Sequence, residues 1–189
     1  MKQNRHLLAN GYVLTGGPGS GKTSLLNALE EDGYLVIPEE ARSIIREQML
    51  KGGDGLPWKN QKKYADMMLD ASVATYQSVL GRKEKLPFFF DRGIPDTLCY
   101  AEMIGYQLPE SMVSEALSFR YNRVVFILPP WKEIYVTDDE RKQTWEEAVE
   151  TYQLMAETYR KYNYEVVEIS PGTVSDRVKF VVNYLKKQQ

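Results

Sequence analysis

The sequence predicts an α/β fold in which a parallel β-sheet carries helices on both faces. Two observations carry that expectation. Short apolar runs alternate with longer stretches of helical periodicity along the chain. Several of the short runs, Phe88-Phe89-Phe90 and Val124-Val125-Phe126-Ile127-Leu128 above all, are apolar at every position rather than at every second one, as strands covered on both faces are.

The elements follow in order. Tyr12–Thr15 reads as a first strand running into glycines, and Lys22–Asp32 as a helix with Leu25, Leu26 and Leu29 on one face and Gly33 as its stop. Tyr34–Ile37 is a second strand, and Pro38 opens a helix that carries Ile44, Ile45 and Leu50 and ends at Gly52-Gly53. After a loop through Trp58, Asn60–Leu80 is a long helix with Tyr64, Met67, Met68, Ala71 and Ala74 at helical spacing. Pro87–Phe90 is a third strand ending at Asp91, followed by helices at Asp96–Ile104 and Pro109–Arg120. Val124–Leu128 is a fourth strand, closed by Pro129-Pro130. A polar segment, Trp131–Gln143, leads into a helix that runs to about Tyr162. Glu165–Ile169 is a fifth strand and Val174–Lys186 a last helix.

Composition narrows the chemistry. A chain of 189 residues, 43% hydrophobic and 26% charged, suits one domain over 1–189 with a real core. A formal net charge of −2 sets up no strong field toward nucleic acid or an anionic membrane, so no nucleic-acid partner is expected. Cys99 is the only cysteine and His6 the only histidine. An intrachain disulfide and a cysteine-based zinc site are thereby excluded, and neither a Ser-His-Asp triad nor a multi-histidine metal site is expected. No secretory signal and no run of membrane-spanning length is present, so a cytoplasmic protein is expected. The oligomeric state is not indicated.

In parallel sheets of this kind ligands sit beyond the carboxyl ends of the strands, so the residues just after each strand are the ones to inspect. After the first comes Gly16-Gly17-Pro18-Gly19-Ser20-Gly21-Lys22-Thr23, which matches G-x-x-x-x-G-K-[ST]. Triphosphate oxygens need several donors converging at short range. Glycines let the main chain wrap closely enough to supply its N–H groups, and the following helix adds its positive end. Gly17, Gly19, Ser20, Gly21, Lys22, Thr23 and Ser24 are therefore the expected nucleotide-binding residues. Lys22 would reach the β- and γ-phosphates, and the Thr23 hydroxyl would ligate Mg²⁺.

Asp91 ends the third strand as the acid of a Walker B strand does, where it can hold Mg²⁺ directly or through water; an aspartate capping the next helix would look the same. Arg92 follows. Motor ATPases usually place a glutamate there to polarise water, so an arginine argues against an efficient water-activating ATPase. It suits a site where a cation meets phosphate or a substrate anion. No N-K-x-D guanine-reading segment occurs. After the second strand, Glu39 and Arg42 are three apart and would share a helix face. Glu39 could take a proton from a substrate hydroxyl and Arg42 could clamp a substrate group, although a helix start with an intrahelical ion pair reads the same way. Trp58, after Pro57, is a candidate wall of an acceptor pocket. Trp131–Lys142 is dense in charge and is a candidate lid, over about 131–145, with Arg141 as a built-in arginine for the transferred group. The tyrosines Tyr152, Tyr159, Tyr162 and Tyr164 fit packing better than base stacking, and Ser170–Val174 is where a base could rest.

GGPGSGKT, VIPEEAR, GLPW, FFFDRGIPDTLCY, PPWKEIYVTDDER and PGTVSDRVKFV, in that order, resemble the small bacterial predicted ATPases of the AAA-domain group related to nicotinamide riboside kinase. The resemblance runs from Arg5 to about Val182. It implies a P-loop NTPase of the nucleoside and nucleotide kinase branch, a three-layer sandwich with sheet order 2-3-1-4-5 and a lid. It also implies roles for Gly16, Gly21, Lys22 and Thr23 at phosphate and Mg²⁺, for Asp91 and Arg92, for Glu39 and Arg42, and for Asp138, Glu140 and Arg141 in the lid.

The expected activity is transfer of the γ-phosphate of Mg-ATP to a small hydroxyl-bearing, nucleoside-like acceptor. Lys22, Glu39, Asp91 and Arg141 would be catalytic, Arg42, Trp58 and Arg92 would bind substrate, and Thr23 and Asp91 would hold the metal. The alternatives are a nucleotide-dependent binding or switch module and a slow ATPase.

Overall fold

The computed structural model describes residues 6–82, 86–134 and 144–188. Five strands form a parallel sheet: β2 (Gly11–Gly16), β3 (Leu35–Ile37), β4 (Phe88–Asp91), β6 (Val124–Leu128) and β7 (Glu165–Glu168). Their spatial order is β3-β4-β2-β6-β7, which is 2-3-1-4-5 when the five are numbered along the chain, as expected. Every neighbouring pair is parallel.

The sheet is covered on both sides, and alternation along each strand decides which side each residue serves. Val13, Phe88, Phe90 and Val125 pack against α3 (Gln61–Val79), α4 (Ile94–Met103) and α6 (Trp145–Lys161), through Leu69, Tyr76, Leu98 and Tyr159 among others. Tyr12, Leu14, Phe89, Phe126 and Leu128 pack against α1 (Lys22–Glu31) and α7 (Val174–Gln188), through Leu25, Leu29, Val181 and Leu185. With both faces buried, β2 and β6 have no solvent side, which is why their sequences lack an apolar-polar alternation. The layers are helix, sheet, helix.

Three sequence expectations are corrected. The helix placed at Pro109–Arg120 stops early: α5 is Glu110–Ala116, and Phe119–Arg120 form β5, which pairs in parallel with β1 (His6–Leu7) in a separate two-stranded sheet. Long-range packing overrides local pattern there, since the Phe119 ring is buried against Tyr76 and stacks on His6. The helix after β3 begins at Ala41 rather than Pro38: α2 is Ala41–Leu50 with Glu40 as its N-cap. Glu39 therefore lies ahead of the helix, and Glu39 and Arg42 do not share a helical face.

Among the described residues, no helix is long and apolar enough to cross a membrane. The tyrosines in and just after α6 do pack: Tyr159 and Tyr164 are buried and meet edge to face.

Candidate functional site at the carboxyl edge of the sheet

β2 delivers the chain into the turn Gly16–Gly21, and α1 begins at Lys22. Two glycines there answer to geometry. Gly21, the N-cap of α1, has φ 76, and a Cβ on it would stand 2.7 Å from Arg177 Nη1. A Cβ on Gly16 would stand 2.7 Å from the Leu128 carbonyl oxygen. Side chains are excluded at both positions, by strain and by space. Around Gly17, by contrast, no atom lies within 4 Å of a Cβ position, so that part of the turn faces open space. Ser20 Oγ donates to the Gly17 carbonyl at 2.9 Å and closes the turn from inside. Arg177 from α7 donates to the Ser20 and Gly21 carbonyls at 3.4 and 3.3 Å and braces it from behind.

The start of α1 differs from two other helix starts in the chain. Asn60 and Thr144 cap α3 and α6 with side-chain oxygens, whereas Gly21 supplies no side chain to α1. First-turn amides without a side-chain cap can donate to an anion.

Register brings the second part of the site to this turn. Leu14 of β2 pairs with Asp91 of β4, and the Arg92 amide donates to the Leu14 carbonyl at 3.0 Å. The Asp91 carboxylate consequently meets the Lys22 ammonium in an ion pair, with side chains 17% and 9% exposed. Burial pulls the Lys22 pKa down and pushes the Asp91 pKa up, each against its partner's attraction. Both shifts disfavour the charged form: desolvation, joined at Lys22 by repulsion from Arg92, outweighs the mutual attraction of the pair.

The third part centres on Arg92, a non-glycine residue at φ 71. Such a conformation costs on the order of 1–3 kcal/mol and persists only where the surroundings impose it. Arg92 Nε donates to Glu39 Oε2 at 2.6 Å, and Nη1 reaches Asp96 Oδ1 at 3.5 Å. Asp96, in the first turn of α4, also accepts from Thr15 Oγ1, from the Gly93 amide at 2.8 Å and from the Tyr159 hydroxyl. Gly93 leaves room for this cluster, because a Cβ there would meet Val13, Tyr121 and Tyr159 at 3.0–3.2 Å. Burial pushes the Glu39 pKa up, but Arg92, Lys22 and Arg42 together outweigh it and hold the carboxyl below its ordinary value.

Between the end of β3 and β4 lies a cleft that opens to solvent. Glu39, Glu40, Asp91, Arg92 and Asp96 supply its charged lining, and Met68, Phe90 and Tyr121 part of its apolar wall.

Lys22, Asp91, Arg92 and Glu39 thus come together. Thr23 and Ser24 are exposed on the first turn of α1. Arg42 is exposed on the first turn of α2, and Trp58 is 61% exposed; neither lines the cleft. Asp138, Glu140 and Arg141 lie outside the described residues. Asp96 was missed in the sequence, although an acid three residues into a helix opened by Gly93 and Pro95 is a capping signature. Among the described residues, no cluster of three or more His, Cys, Asp or Glu side chains could hold a metal alone. The oxygens of Thr23 and Asp91 are of the hard type Mg²⁺ takes, and an ion there would draw its remaining ligands from phosphate and water.

The AAA domain family model matches residues 11–177. No curated protein matches the chain in sequence. Among solved structures, the chain is similar to deoxyadenosine kinase from M. mycoides with products dCMP and dCDP, at 15% identity and TM-score 0.59, over 94% of this chain and 99% of that one. It is similar to NadR in complex with NR, at 14% identity and TM-score 0.66, over 94% of this chain and 50% of that one. It is also similar to shikimate kinase from Acinetobacter baumannii in complex with shikimate, at 16% identity and TM-score 0.57, over 95% of this chain and 94% of that one. The shared feature is the fold, that of the P-loop kinases.

Proposed function

The chain belongs to the AAA domain family, and from its carboxyl-edge site we propose that it transfers the γ-phosphate of Mg-ATP to a hydroxyl of a small, nucleoside-like acceptor. One observation carries the reading: the Lys22–Asp91 pair lies beside the Glu39–Arg92 pair, with a cleft opening between Glu39 and Asp91. A phosphate-binding turn alone serves many chemistries. A carboxylate across a cleft from it is what transfer to a hydroxyl needs.

The turn's amides and the start of α1 grip the polyphosphate. Lys22 moves its charge from Asp91 to the β- and γ-phosphate oxygens, which relieves a pair that burial leaves undercompensated. Thr23 and Asp91 hold the Mg²⁺, which when bound neutralises charge on the phosphate oxygens. Glu39, ionised at neutral pH, accepts a hydrogen bond from the acceptor hydroxyl, aims its oxygen in line and takes its proton as the bond to phosphorus forms. Arg92 holds Glu39 in that place. Arg42, close enough to lower the Glu39 pKa, stands at the approach to the acceptor. Arg141 is assigned to the transferred group, and Trp58 to the outer margin of the acceptor's path.

The deciding variant is Glu39→Gln, which keeps the side chain's size and removes the base. It is expected to lower transfer by on the order of 10²–10⁴-fold while calorimetric ATP affinity stays within about threefold of wild type. Transfer at the wild-type rate would remove Glu39 from the mechanism. ATP hydrolysis without any acceptor, undiminished in the variant, would favour the slow ATPase.

A further inference from the structure

The cleft beside Glu39 has a charge imbalance that bears on which acceptors enter it. Among the described residues lining it, the carboxylates are Glu39, Glu40, Asp91 and Asp96, and the one cation is Arg92. That cation is already engaged on both sides, by Glu39 at 2.6 Å and by Asp96 at 3.5 Å. The guanidinium is also fixed from behind, because Asp96 is itself tied to Thr15, Gly93 and Tyr159. Lys22, which does not line the cleft, faces Asp91 and the phosphate turn. Glu40 accepts from Thr75 Oγ1 at 2.8 Å, a neutral partner, and among the described residues no cation pairs with it.

We propose that the cleft selects an acceptor without negative charge, and that a phosphorylated or carboxylated acceptor is excluded by the carboxylates of Glu39, Glu40 and Asp96 together with the prior engagement of Arg92. This rests on the phosphotransferase reading and adds the acceptor's charge class to it. An anionic group in the cleft would have to take Arg92 from two carboxylates and leave them unpaired in a part-buried place. It would also sit beside the bound triphosphate, with like charges facing across a short distance. A neutral polyhydroxylated compound meets none of this. Its hydroxyls can donate to Glu39 and Glu40, and an apolar ring can lie against Met68 and Phe90. Two of the similar structures mark the choice: one holds shikimate, a carboxylate, and another NR.

The test uses paired compounds that differ in one anionic group: the common ribo- and deoxyribonucleosides against their 5′-monophosphates, and shikimate methyl ester against shikimate. Binding is read by ligand-observed NMR with the full chain, Mg²⁺ and a non-hydrolysable ATP analogue. Transfer is read separately with ATP. The uncharged member of a pair is expected to bind at least about tenfold more tightly. In Glu40→Gln, which keeps a partner for Thr75 and removes one charge, that ratio is expected to shrink severalfold. Preference for the charged members, binding by neither kind, or an unchanged ratio in Glu40→Gln would overturn the proposal. Selective binding of uncharged compounds without any transfer would uphold the charge selection and overturn the phosphotransferase reading instead.

Discussion

Asp96 draws together Thr15 of β2, Arg92 and Gly93 of the turn after β4, and Tyr159 of α6, while its residue is 6% exposed. A buried carboxylate is tolerable only when its lone pairs are filled and a cation is near, and here both hold. Asp96→Asn keeps the shape but turns an amide against these donors. It is expected to cost about 3 kcal/mol, read as a lower urea midpoint at unchanged slope; a loss under about 0.5 kcal/mol would deny the cluster its structural weight. Glu39 makes a pH-dependent contribution. Its folded pKa is depressed by Arg92, Lys22 and Arg42 against burial. Stability from that depression is complete above the ordinary glutamate value of about 4.3 and disappears as the pH falls through the folded value. Wild type is expected to lose more melting temperature than Glu39→Gln between about pH 6 and pH 3. Parallel acid profiles for the two would contradict the shift.

The informative element is the junction of β2 and α1. α7 approaches it from the side, and Arg177, 4% exposed, fills the space a Gly21 side chain would need. The Arg177 guanidinium also lies over the Trp131 ring at 5.5 Å, so the turn, the segment after β6 and the last helix are joined through one side chain. Gly21→Ala would have to hold a left-handed conformation that costs an L-residue roughly 1–2 kcal/mol and displace Arg177 as well. Calorimetry with Mg-ATP is expected to show at least about tenfold weaker binding, 1.4 kcal/mol or more. Wild-type affinity in this variant would mean that the turn does not grip the phosphates with its main chain.

At the scale of the whole molecule, the sheet is buried on two sides and its carboxyl edge is where charge collects. A ligand that binds this edge in the folded state and not in the unfolded one stabilises the fold by mass action. Mg-ATP at about 100 times its Kd is expected to contribute about 2.7 kcal/mol, a rise of roughly 5–10 °C in Tm for a chain of this size. Lys22→Ala, which removes the ammonium facing Asp91, is expected to lose most of that rise. An equal rise in both proteins would place nucleotide elsewhere.

The parallel α/β class, the five strands and the glycine-rich turn leading into Lys22 were legible in the sequence, because each is written locally. Unbroken apolar runs mark strands buried on both faces, and glycines mark a turn that leaves no room for side chains at Gly16 and Gly21. The order β3-β4-β2-β6-β7 came with the family resemblance. Only the tertiary structure decided the rest. Phe119–Arg120 became a strand because β1, more than a hundred residues earlier in the chain, pairs with it. Glu39 met Arg92, 53 positions away, instead of the nearby Arg42, because strand register sets the distance between β3 and β4 ends. Asp96 acquired Thr15 and Tyr159 as partners from separate elements. Propensity and periodicity act over a few residues, whereas partners across a sheet are chosen by how its layers pack.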